Sequence, residues 1–451
     1  SLTDGLVSQQ LALKKYHRSL LESGEYWRQS MTRFNAQNRV DATLISNLRI
    51  MRRTLINQIS KRCDKSKEII TGVVHALLSR SIFIKYLEER KDSNGETVFP
   101  QDFYCNFMES AKWYTDVLNS KEATYNLFLT LKDKFNGDTL QVSEIETEII
   151  TQDDLDELRT FILGNSELES RQLTLWPLYS FDIIPIQLIS SIYELFFHLS
   201  DEEDEKGTYY TPLHLVNLVM DEVYPWEGEY KDISFFDPSC GSGIFLVEAY
   251  RRLVCRWMSQ NAVQAITCDR LNLLLKNSIF GVDINEEAIR VASFSLSLAM
   301  CDFLDPRSIW DKLSFPSLLG KNLISSDFFD EDKSFNKERY DVIVGNPPWQ
   351  SNITEKTKEY LKKVNRVIGD KQIAQAFSIK CSELCKQNGI ICLLMPSKGL
   401  LFNRSDKSRM YRANLFSDNN VLAIINLSVY RKFLFDHASG PAAAIIYTPK
   451  R

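Results

Sequence analysis

The spacing of apolar residues divides the chain into two parts. Before the acidic run DEEDE (residues 201–205), apolar residues recur every three or four positions, as in VVHALLSRSIFIKYLEER (residues 73–90), and glycine is rare. This period is typical of amphipathic helices. After the acidic run, short apolar segments alternate with helical ones. We therefore predict an all-α domain over residues 1–190 and an α/β domain over residues 191–451.

Seven apolar segments in the second part are predicted as β-strands, because each is short and is bounded by turn-forming residues. They are ISFFD (233–237), SIFGVDI (278–284), NLISSD (322–327), YDVIVGNPP (340–348), GIICLLMP (389–396), VLAIINL (421–427) and AAAIIY (442–447). Strands that alternate with helices form a doubly wound, mostly parallel, Rossmann-like sheet, and its ligands bind at the carboxyl ends of the strands. The residues that bind ligands and carry out catalysis are therefore expected where these segments end.

Three of these segments end in an aspartate. The first runs into DPSCGSG, in which Gly241 and Gly243 let backbone N–H groups approach an anionic ligand beside a helix N-terminus. The second ends at Asp283, which suits two ribose hydroxyls or, alternatively, caps the next helix. The third ends at Asp327 and Phe328, an acceptor and a ring suited to adenine, or again a cap. Together these ends predict a pocket for a nucleoside with a charged tail.

A fourth segment, YDVIVG, ends abruptly in Asn346, Pro347, Pro348 and Trp349. The prolines fix φ and remove two backbone donors, so the carbonyls of Asn346 and Pro347 are held in set directions with little internal bonding. This makes a rigid rim of acceptors beside an indole ring. An isolated NPPW tetrapeptide is also consistent with a turn and a packed Trp.

Composition limits the class of protein. The chain has 451 residues, 44% hydrophobic and 25% charged, as in ordinary globular proteins. No apolar run approaches the roughly 20 residues that span a bilayer, and the first residues lack the layout of a signal peptide. The nine cysteines form no CxxC pair, and no His stands near Cys381 and Cys385. We therefore predict reduced thiols, a cytoplasmic protein and no metal site.

The net charge of −5 argues against a protein that coats nucleic acid over its whole surface. Two local stretches are basic: residues 49–67 carry seven basic side chains and one acid, and residues 355–371 carry six basic side chains and three acids. Such stretches are either solvated helix faces or phosphate-binding surfaces. The second follows NPPW directly, which favours a role beside the site.

The order of five motifs resembles that of a known family. The motifs are GTYYTP (207–212), DPSCGSGIFL (237–246), GVDI (281–284), SSDFF (325–329) and YDVIVGNPPW (340–349). Their order is similar to that of the S-adenosylmethionine-dependent DNA adenine N6-methyltransferases of restriction-modification systems, in particular the gamma group. The likeness covers residues from about 192 to the end of the chain. The helical part resembles the connector between nuclease and methylase in single-chain restriction enzymes.

The resemblance implies a role for each matching residue. The residues expected to face the methionine moiety of the cofactor are Tyr210, Thr211, Pro212, Asp237, Gly241 and Gly243. Asp283 is expected to hold the ribose hydroxyls, and Asp327 the adenine amino group with Phe328 beside it. The target-base site is expected to consist of Asn346, Pro347, Pro348 and Trp349. Phe435 is our choice for a second stacking ring, with core packing as the alternative. Ser239 stands where the family more often has Ala, which we expect to be harmless.

This assignment gives the NPPW segment a chemical role. The side-chain oxygen of Asn346 and the carbonyl of Pro347 would accept the N6 hydrogens of adenine and direct its lone pair at the sulfonium methyl group, without a covalent intermediate. Trp349 would stack on a base flipped out of double-stranded DNA. The alternatives are a protein-glutamine N-methyltransferase, whose substrate amide is also planar, and a catalytically silent module that holds DNA or a subunit.

The sequence also suggests what lies outside this chain. It begins with Ser and ends just after the last predicted strand, whereas a target-recognition region normally follows that strand in this group. We therefore expect the chain to be part of a longer protein, with the target-recognition domain, and a nuclease if one is present, on that longer chain or on other subunits. We find no convincing PD…ExK nuclease signature, so no cleavage is predicted.

Overall fold

The computed structural model describes residues 40–92, 94–164, 181, 211–431 and 440–450. The predicted domain boundary at 190/191 lies outside these residues, as do the acidic run and residues 207–210 of the GTYYTP segment. The division into two domains therefore stays a prediction, and the two described parts are treated in turn.

The described part before residue 165 is helical, as the apolar spacing predicts. Its helices are α1 (Val40–Arg62), α2 (Lys67–Glu89), α3 (Tyr114–Val117), α4 (Lys121–Phe135), α5 (Glu144–Ile149) and α6 (Gln152–Leu163). Serine residues cap α2 and α4, because the Oγ atoms of Ser66 and Ser120 accept hydrogen bonds from backbone N–H groups three residues on. These bonds satisfy donors that a helix start leaves free.

Helix α2 lies in the core of this part. Its length and apolar composition would allow it to cross a membrane, but 72% of its apolar stretch is buried inside the protein. Its fully buried Arg80 forms an ion pair with Glu146 of α5 over 2.6 Å and donates to the carbonyl of Gln141 over 2.8 Å. A buried charge that is paired and hydrogen-bonded is typical of a protein core. Helix α2 is therefore a core helix of the folded chain.

The part after residue 210 is built on a seven-stranded sheet. The strands are β1 (Phe235–Asp237), β2 (Ile279–Asp283), β3 (Leu323–Ser325), β4 (Tyr340–Gly345), β5 (Cys385–Pro396), β6 (Asn419–Asn426) and β7 (Ala442–Pro449). Their order is β3-β2-β1-β4-β5-β7-β6, in which β1 to β5 pair in parallel and β7 runs antiparallel to β5 and β6. The seven predicted strands and the mostly parallel sheet are confirmed.

Helices cover both faces of this sheet. They are α7 (Leu213–Val223), α8 (Ile244–Gln260), α9 (Cys268–Ser278), α10 (Glu286–Cys301), α11 (Pro306–Lys312), α12 (Glu355–Lys363), α13 (Ile373–Leu384) and α14 (Asp406–Asp418). Successive strand residues point to opposite faces. In β1, Phe235 packs in the core that includes α8 and α10, while Phe236 packs in the core that includes α13 and α14. The sheet is thus the central layer of three.

The helical part packs on the α10 side of the sheet. Phe83 of α2 contacts Phe294 of α10 with ring centroids 6.1 Å apart. Asp138 accepts hydrogen bonds from the backbone N–H groups of Leu318 and Leu319 over 2.9 and 3.1 Å. Apolar residues of both parts belong to one continuous core. The helical part therefore packs against α10, and α10 packs against the sheet.

The strand order reverses between β1 and β4. From β1 the chain proceeds outward to β2 and β3 on one side, and then returns to β4 and β5 on the other. Loops that leave β1 and β4 consequently diverge and open a crevice at their carboxyl ends. Ligands of open α/β sheets bind at such a reversal.

Candidate active site

A cavity of about 430 Å³ opens at the carboxyl ends of β1 to β4. Its volume is typical of a small-molecule site. The residues from the sequence analysis that line it are Thr211, Asp237, Gly241, Asp283, Asp327, Phe328, Asn346, Pro347, Pro348 and Trp349. Pro212 and Gly243 lie beside the lining, as the N-cap residues of α7 and α8. Tyr210 and Phe435 lie outside the described residues.

The loop after β1 depends on two glycines with left-handed backbone conformation. Gly241 has φ +51° and Gly243 has φ +84°. A Cβ on Gly243 would lie 2.9 Å from Cβ of Ala292 in α10, so glycine allows α8 to begin this close to α10. Ile244 and Phe245, the first residues of α8, line the cavity. The N-terminus of α8, which favours anions, therefore lies at the edge of the cavity.

Asp237 is buried at the end of β1, next to β4. Its Oδ1 accepts a hydrogen bond from the backbone N–H of Ser239 over 3.0 Å. A Cβ on Gly345, the last residue of β4, would come within 2.6 Å of the same oxygen. Gly345 therefore leaves room for the Asp237 carboxylate beside Asn346. The sequence analysis gave Gly345 no role in the site, because a glycine at this position indicates only that the strand ends.

Asp283 ends β2 with both carboxylate oxygens engaged. Oδ2 accepts from the N–H of Gly241 and Oδ1 from the N–H of Asn285, each over 2.9 Å. Burial raises the pKa of Asp283, and the backbone N–H groups oppose that effect. The side chain of Asn285, and not that of Asp283, caps α10. Each Asp283 oxygen keeps a further lone pair for a ligand hydroxyl.

Asp327 and Phe328 form the turn after β3. Oδ1 of Asp327 accepts from the N–H of Phe329 over 2.8 Å, and Oδ2 accepts from Oγ1 of Thr354 over 3.0 Å. The Phe328 ring is only 3% exposed and stacks on Phe377 of α13, with centroids 4.7 Å apart. Phe328 therefore contributes to the cavity wall as part of the aromatic core.

The side-chain amide of Asn346 is oriented by one hydrogen bond. Nδ2 donates to Oγ1 of Thr211 over 3.1 Å. Oδ1 is buried and has no hydrogen-bond partner within the described part of the chain. Leaving a buried acceptor unpaired costs free energy in a folded protein, and such groups are uncommon. This oxygen therefore marks where a donor of a bound ligand is expected.

Trp349 lies at the rim of the cavity and is held by β5. Its Nε1 donates to the carbonyl of Leu394 over 3.4 Å. Gly440, just before β7, lies near the ring, because a Cβ at that residue would be 3.5 Å from Cζ3 of Trp349. The indole orientation is thus fixed by the final strands of the sheet.

The apolar residues that line the cavity and were given no role in the sequence analysis include Ile284, Ile373 and Phe377. Ile284 is 70% exposed, which is unusual for an isoleucine, and its place directly after Asp283 was a usable signal. Ile373 and Phe377 lie one turn apart on α13, and no spacing signal separates them from ordinary core residues of that helix. Together they give the cavity apolar walls between its polar ends.

The basic stretch 355–371 is largely paired with acids. Lys356 contacts Asp330 over 2.5 Å, and Lys363 contacts Glu331 over 2.6 Å. Two further ion pairs join Lys358 to Glu355 and Arg366 to Asp418. Among the described residues, no carboxylate pairs with Lys362 or Lys371. In the whole of the described structure, no group of three or more His, Cys, Asp or Glu residues could hold a metal ion.

Two protein-family models match segments of the α/β part. Residues 277–433 match the Eco57I restriction-modification methylase family, and residues 224–307 match the MmeI DNA-methyltransferase domain. The two segments contain the ends of β1 to β4 and the cavity residues from Asp237 to Trp349. The part of the chain that forms the cavity is therefore similar to the methyltransferase domains of restriction-modification enzymes.

Two curated relatives show how far this chain differs in sequence from the proteins that it resembles. The type II methyltransferase M.VspI of Vibrio sp. (strain 343) is 24% identical over 253 residues, which cover 56% of this chain and 51% of that protein. The adenine-specific methyltransferase PglX of Streptomyces coelicolor is 32% identical over 160 residues, which cover 29% of this chain and 13% of that protein. The chain spans about half the length of the first relative and a smaller share of the second.

A solved structure shares the fold of this chain. The type IIL restriction-modification enzyme MmeI, solved in complex with DNA, aligns with a TM-score of 0.60 and 16% sequence identity. The alignment covers 90% of this chain and 57% of the MmeI chain. The match extends beyond the sheet, so the helical part also has a counterpart in that structure.

Proposed function

We propose that this protein transfers a methyl group from S-adenosylmethionine to N6 of a flipped-out adenine in DNA. The observation that carries the proposal is the buried, unpaired Oδ1 of Asn346, in a cavity whose other polar groups suit this cofactor. The name of the Streptomyces relative, an adenine-specific methyltransferase, supports adenine as the substrate base.

The chemistry of the cavity fits S-adenosylmethionine. Asp283 offers acceptors to the ribose hydroxyls, and Asp327 offers an acceptor to the adenine amino group. Ile284 and Phe377 provide apolar surface for the adenine ring. The residues assigned to the methionine end are Tyr210, Thr211, Pro212, Asp237, Gly241 and Gly243. When bound, the cofactor supplies an electrophilic methyl group on a sulfonium.

Asn346 and Pro347 would prepare the nucleophile. The lone pair of adenine N6 is delocalised into the ring, so the amino nitrogen attacks poorly by itself. Oδ1 of Asn346 and the carbonyl oxygen of Pro347 would each accept one N6 hydrogen and direct the lone pair at the methyl carbon. With the nitrogen held in this way, its lone pair would form the C–N bond while the C–S bond of the sulfonium breaks, so that the products would be N6-methyladenine and S-adenosylhomocysteine. The surplus proton on nitrogen passes to water.

Trp349 would hold the target base. An adenine inside the duplex cannot reach a cavity of this depth, so it must leave the stack, and an aromatic ring offsets part of that cost. Stacking of one base on an aromatic residue contributes about 1–3 kcal/mol. The hydrogen bond from Trp349 to Leu394 sets the ring orientation in advance. Phe435 remains our candidate for the residue that stacks on the other face of the target base.

We also propose a setting for the whole protein. Double-stranded DNA is the proposed partner, with Lys362 and Lys371 as phosphate contacts beside the site. A target-recognition domain, and a nuclease if present, would lie on the same longer protein or on other subunits, since the chain spans only about half of its Vibrio relative. The proposed location is the cytoplasm.

Two substitutions test the division of roles. Asn346→Ala is expected to abolish methyl transfer while leaving the dissociation constant for S-adenosylmethionine within a few-fold, because Asn346 contacts the base. Asp283→Ala is expected to raise that dissociation constant first. Calorimetry gives the affinity, and labelled methyl groups give the transfer rate. Equal losses of cofactor affinity would contradict the assignment, and cofactor binding without any transfer to DNA would favour a silent binding module.

A further inference from the structure

Helix α12, which follows the target-base residues, is joined to the turn after β3 by three polar contacts. Thr354, the N-cap of α12, donates to Asp327 Oδ2 over 3.0 Å. Lys356 reaches Asp330 over 2.5 Å, and Lys363 reaches Glu331 over 2.6 Å. The lysines that the sequence suggested for phosphate thus face the turn that carries Asp327. The contact from Thr354 is the one that reaches a cavity carboxylate.

The Thr354 hydroxyl has a fixed division of donor and acceptor roles. Its oxygen accepts a hydrogen bond from the backbone N–H of Thr357 over 3.1 Å, which caps α12, and it lies 2.9 Å from the hydroxyl of Thr357, which can donate a second hydrogen bond to it. Its single hydrogen is donated to Asp327, since an ionised carboxylate can only accept. The other Asp327 oxygen accepts from the N–H of Phe329. One donor therefore holds each oxygen, and this defines the plane of the carboxylate.

The same turn is held from the opposite side by Lys380 of α13. This lysine is 3% exposed, and its Nζ donates to the carbonyl oxygen of Phe328. Nζ also lies 4.8 Å from the centroid of the Phe328 ring and 5.6 Å from that of Tyr360 in α12. Lys380 thereby holds the backbone next to Asp327, while Thr354 and the N–H of Phe329 restrain the torsions of the Asp327 side chain.

We propose that Thr354 is a positioning residue, which holds the Asp327 carboxylate in the orientation that receives the adenine amino group of the cofactor. The inference rests on the proposed function, because it concerns the same cofactor. It goes further in linking the cofactor to the base site. Thr354 lies five residues after Trp349, and the intervening Gln350 accepts from the N–H of Ile373 over 3.2 Å. An occupied cofactor site would therefore also restrain the loop that presents Trp349.

Substitution at Thr354 can separate capping from positioning. Asn and Asp both cap helices well, so neither Thr354→Asn nor Thr354→Asp should destabilise α12. Asn can also donate to Asp327 through its amide, whereas Asp cannot donate and brings a like charge to the carboxylate. Positioning therefore predicts different cofactor affinities for two variants of similar stability.

The probes are S-adenosylhomocysteine and S-inosylhomocysteine, in which an oxygen replaces the adenine amino group. We expect Thr354→Asn to bind S-adenosylhomocysteine within about threefold of the unaltered chain and Thr354→Asp to bind it at least about tenfold more weakly. The Asp variant should bind the inosine analogue within about threefold of the unaltered chain, because that ligand lacks the amino group.

Calorimetry and thermal unfolding of all three proteins complete the test. Equal affinity of the Asp and Asn variants for S-adenosylhomocysteine would overturn the inference, as would an equal loss for both ligands. Failure of the unaltered chain to bind S-adenosylhomocysteine would instead contradict the proposed function, and the inference with it.

Discussion

The amide nitrogen of Asn346 donates a hydrogen bond to Thr211 Oγ1 over 3.1 Å, and the amide oxygen is buried without a hydrogen-bond partner among the described residues. Thr211 lies at the start of the α/β part, and Asn346 lies more than a hundred residues later, at the end of β4. Both residues line the same cavity. The contact therefore joins the first described residue of the α/β part to the end of β4 at the candidate site.

Removing the Thr211 hydroxyl should impair methyl transfer more than cofactor binding. In Thr211→Val the amide of Asn346 loses its partner and can rotate, and the loss of one orienting hydrogen bond corresponds to about tenfold in kcat. Thr211→Ser keeps the hydroxyl and should retain most of the rate. Steady-state kinetics of both variants, with cofactor affinity measured separately, make the comparison. A Val variant as fast as the Ser variant would show that Thr211 does not orient Asn346.

Gly345→Ala should weaken cofactor binding and lower the thermal unfolding midpoint. The new Cβ would meet the buried Asp237 carboxylate at 2.6 Å, and neither β1 nor β4 can move easily in the middle of the sheet. The matched control is Gly440→Ala, whose Cβ would make an ordinary contact of 3.5 Å with Trp349. Thermal melts with and without S-adenosylmethionine measure both effects. Equal behaviour of the two variants would contradict the packing argument at Gly345.

The fold was largely predictable because each strand carries its own local signal. The β4 segment is apolar and β-branched and stops at Gly345 and NPPW, which defines a buried strand without tertiary information. The antiparallel return of β7 between β5 and β6 could not be read from AAAIIY, since pairing direction depends on how distant segments meet. The packing of Phe83 on Phe294 could not be predicted either, because the spacing of apolar residues shows that a helix has an apolar face but not which element packs against that face.

The pH dependence of stability should reveal the buried Lys380. Burial lowers the pKa of this lysine from 10.5 to about 8, against the opposing charges of Glu331 and Glu383. Between pH 8 and about 10 the unfolded chain holds a proton that the folded chain has released, so this group makes the free energy of unfolding rise with pH. Below pH 8 its contribution is flat.

The measurement is denaturant unfolding at several pH values for the unaltered chain and for Lys380→Met. Subtracting the two profiles cancels the tyrosines and cysteines that titrate in the same range. The difference should rise from pH 8 to 10, and Lys362→Met, an exposed control, should give a flat difference. A flat difference for Lys380→Met would show that the lysine is not desolvated.

Phosphate contacts near the site should come from the lysines that lack a carboxylate partner. Lys362→Ala and Lys371→Ala should each weaken binding of random-sequence duplex DNA and reduce the slope of log affinity against log salt by roughly one. Lys363→Ala should change both less, because Lys363 already contacts Glu331 over 2.6 Å. Titrations at several salt concentrations provide the slopes. Equal effects of all three substitutions would mean that the pair with Glu331 opens when DNA binds.

The polar residues of the candidate site were predictable, and its apolar walls were not. Asp283 and Asp327 follow strands directly, and strand ends meet at one edge of a parallel sheet, so sequence position alone brought them together. Phe377 reaches the cavity from α13, and only its stacking on Phe328 explains its place there. Thr354 was missed for a related reason, since its hydroxyl reads as a helix cap until its second partner, Asp327, is seen.

The most direct test of the proposed activity identifies the methylated atom. The chain is incubated with S-adenosylmethionine carrying a labelled methyl group and with a mixture of DNA, RNA and protein acceptors. The acceptors are then digested and separated by mass spectrometry. We predict label in N6-methyldeoxyadenosine and its loss in Asn346→Ala. Label confined to protein glutamine, or found in methylated cytosine, would contradict the account.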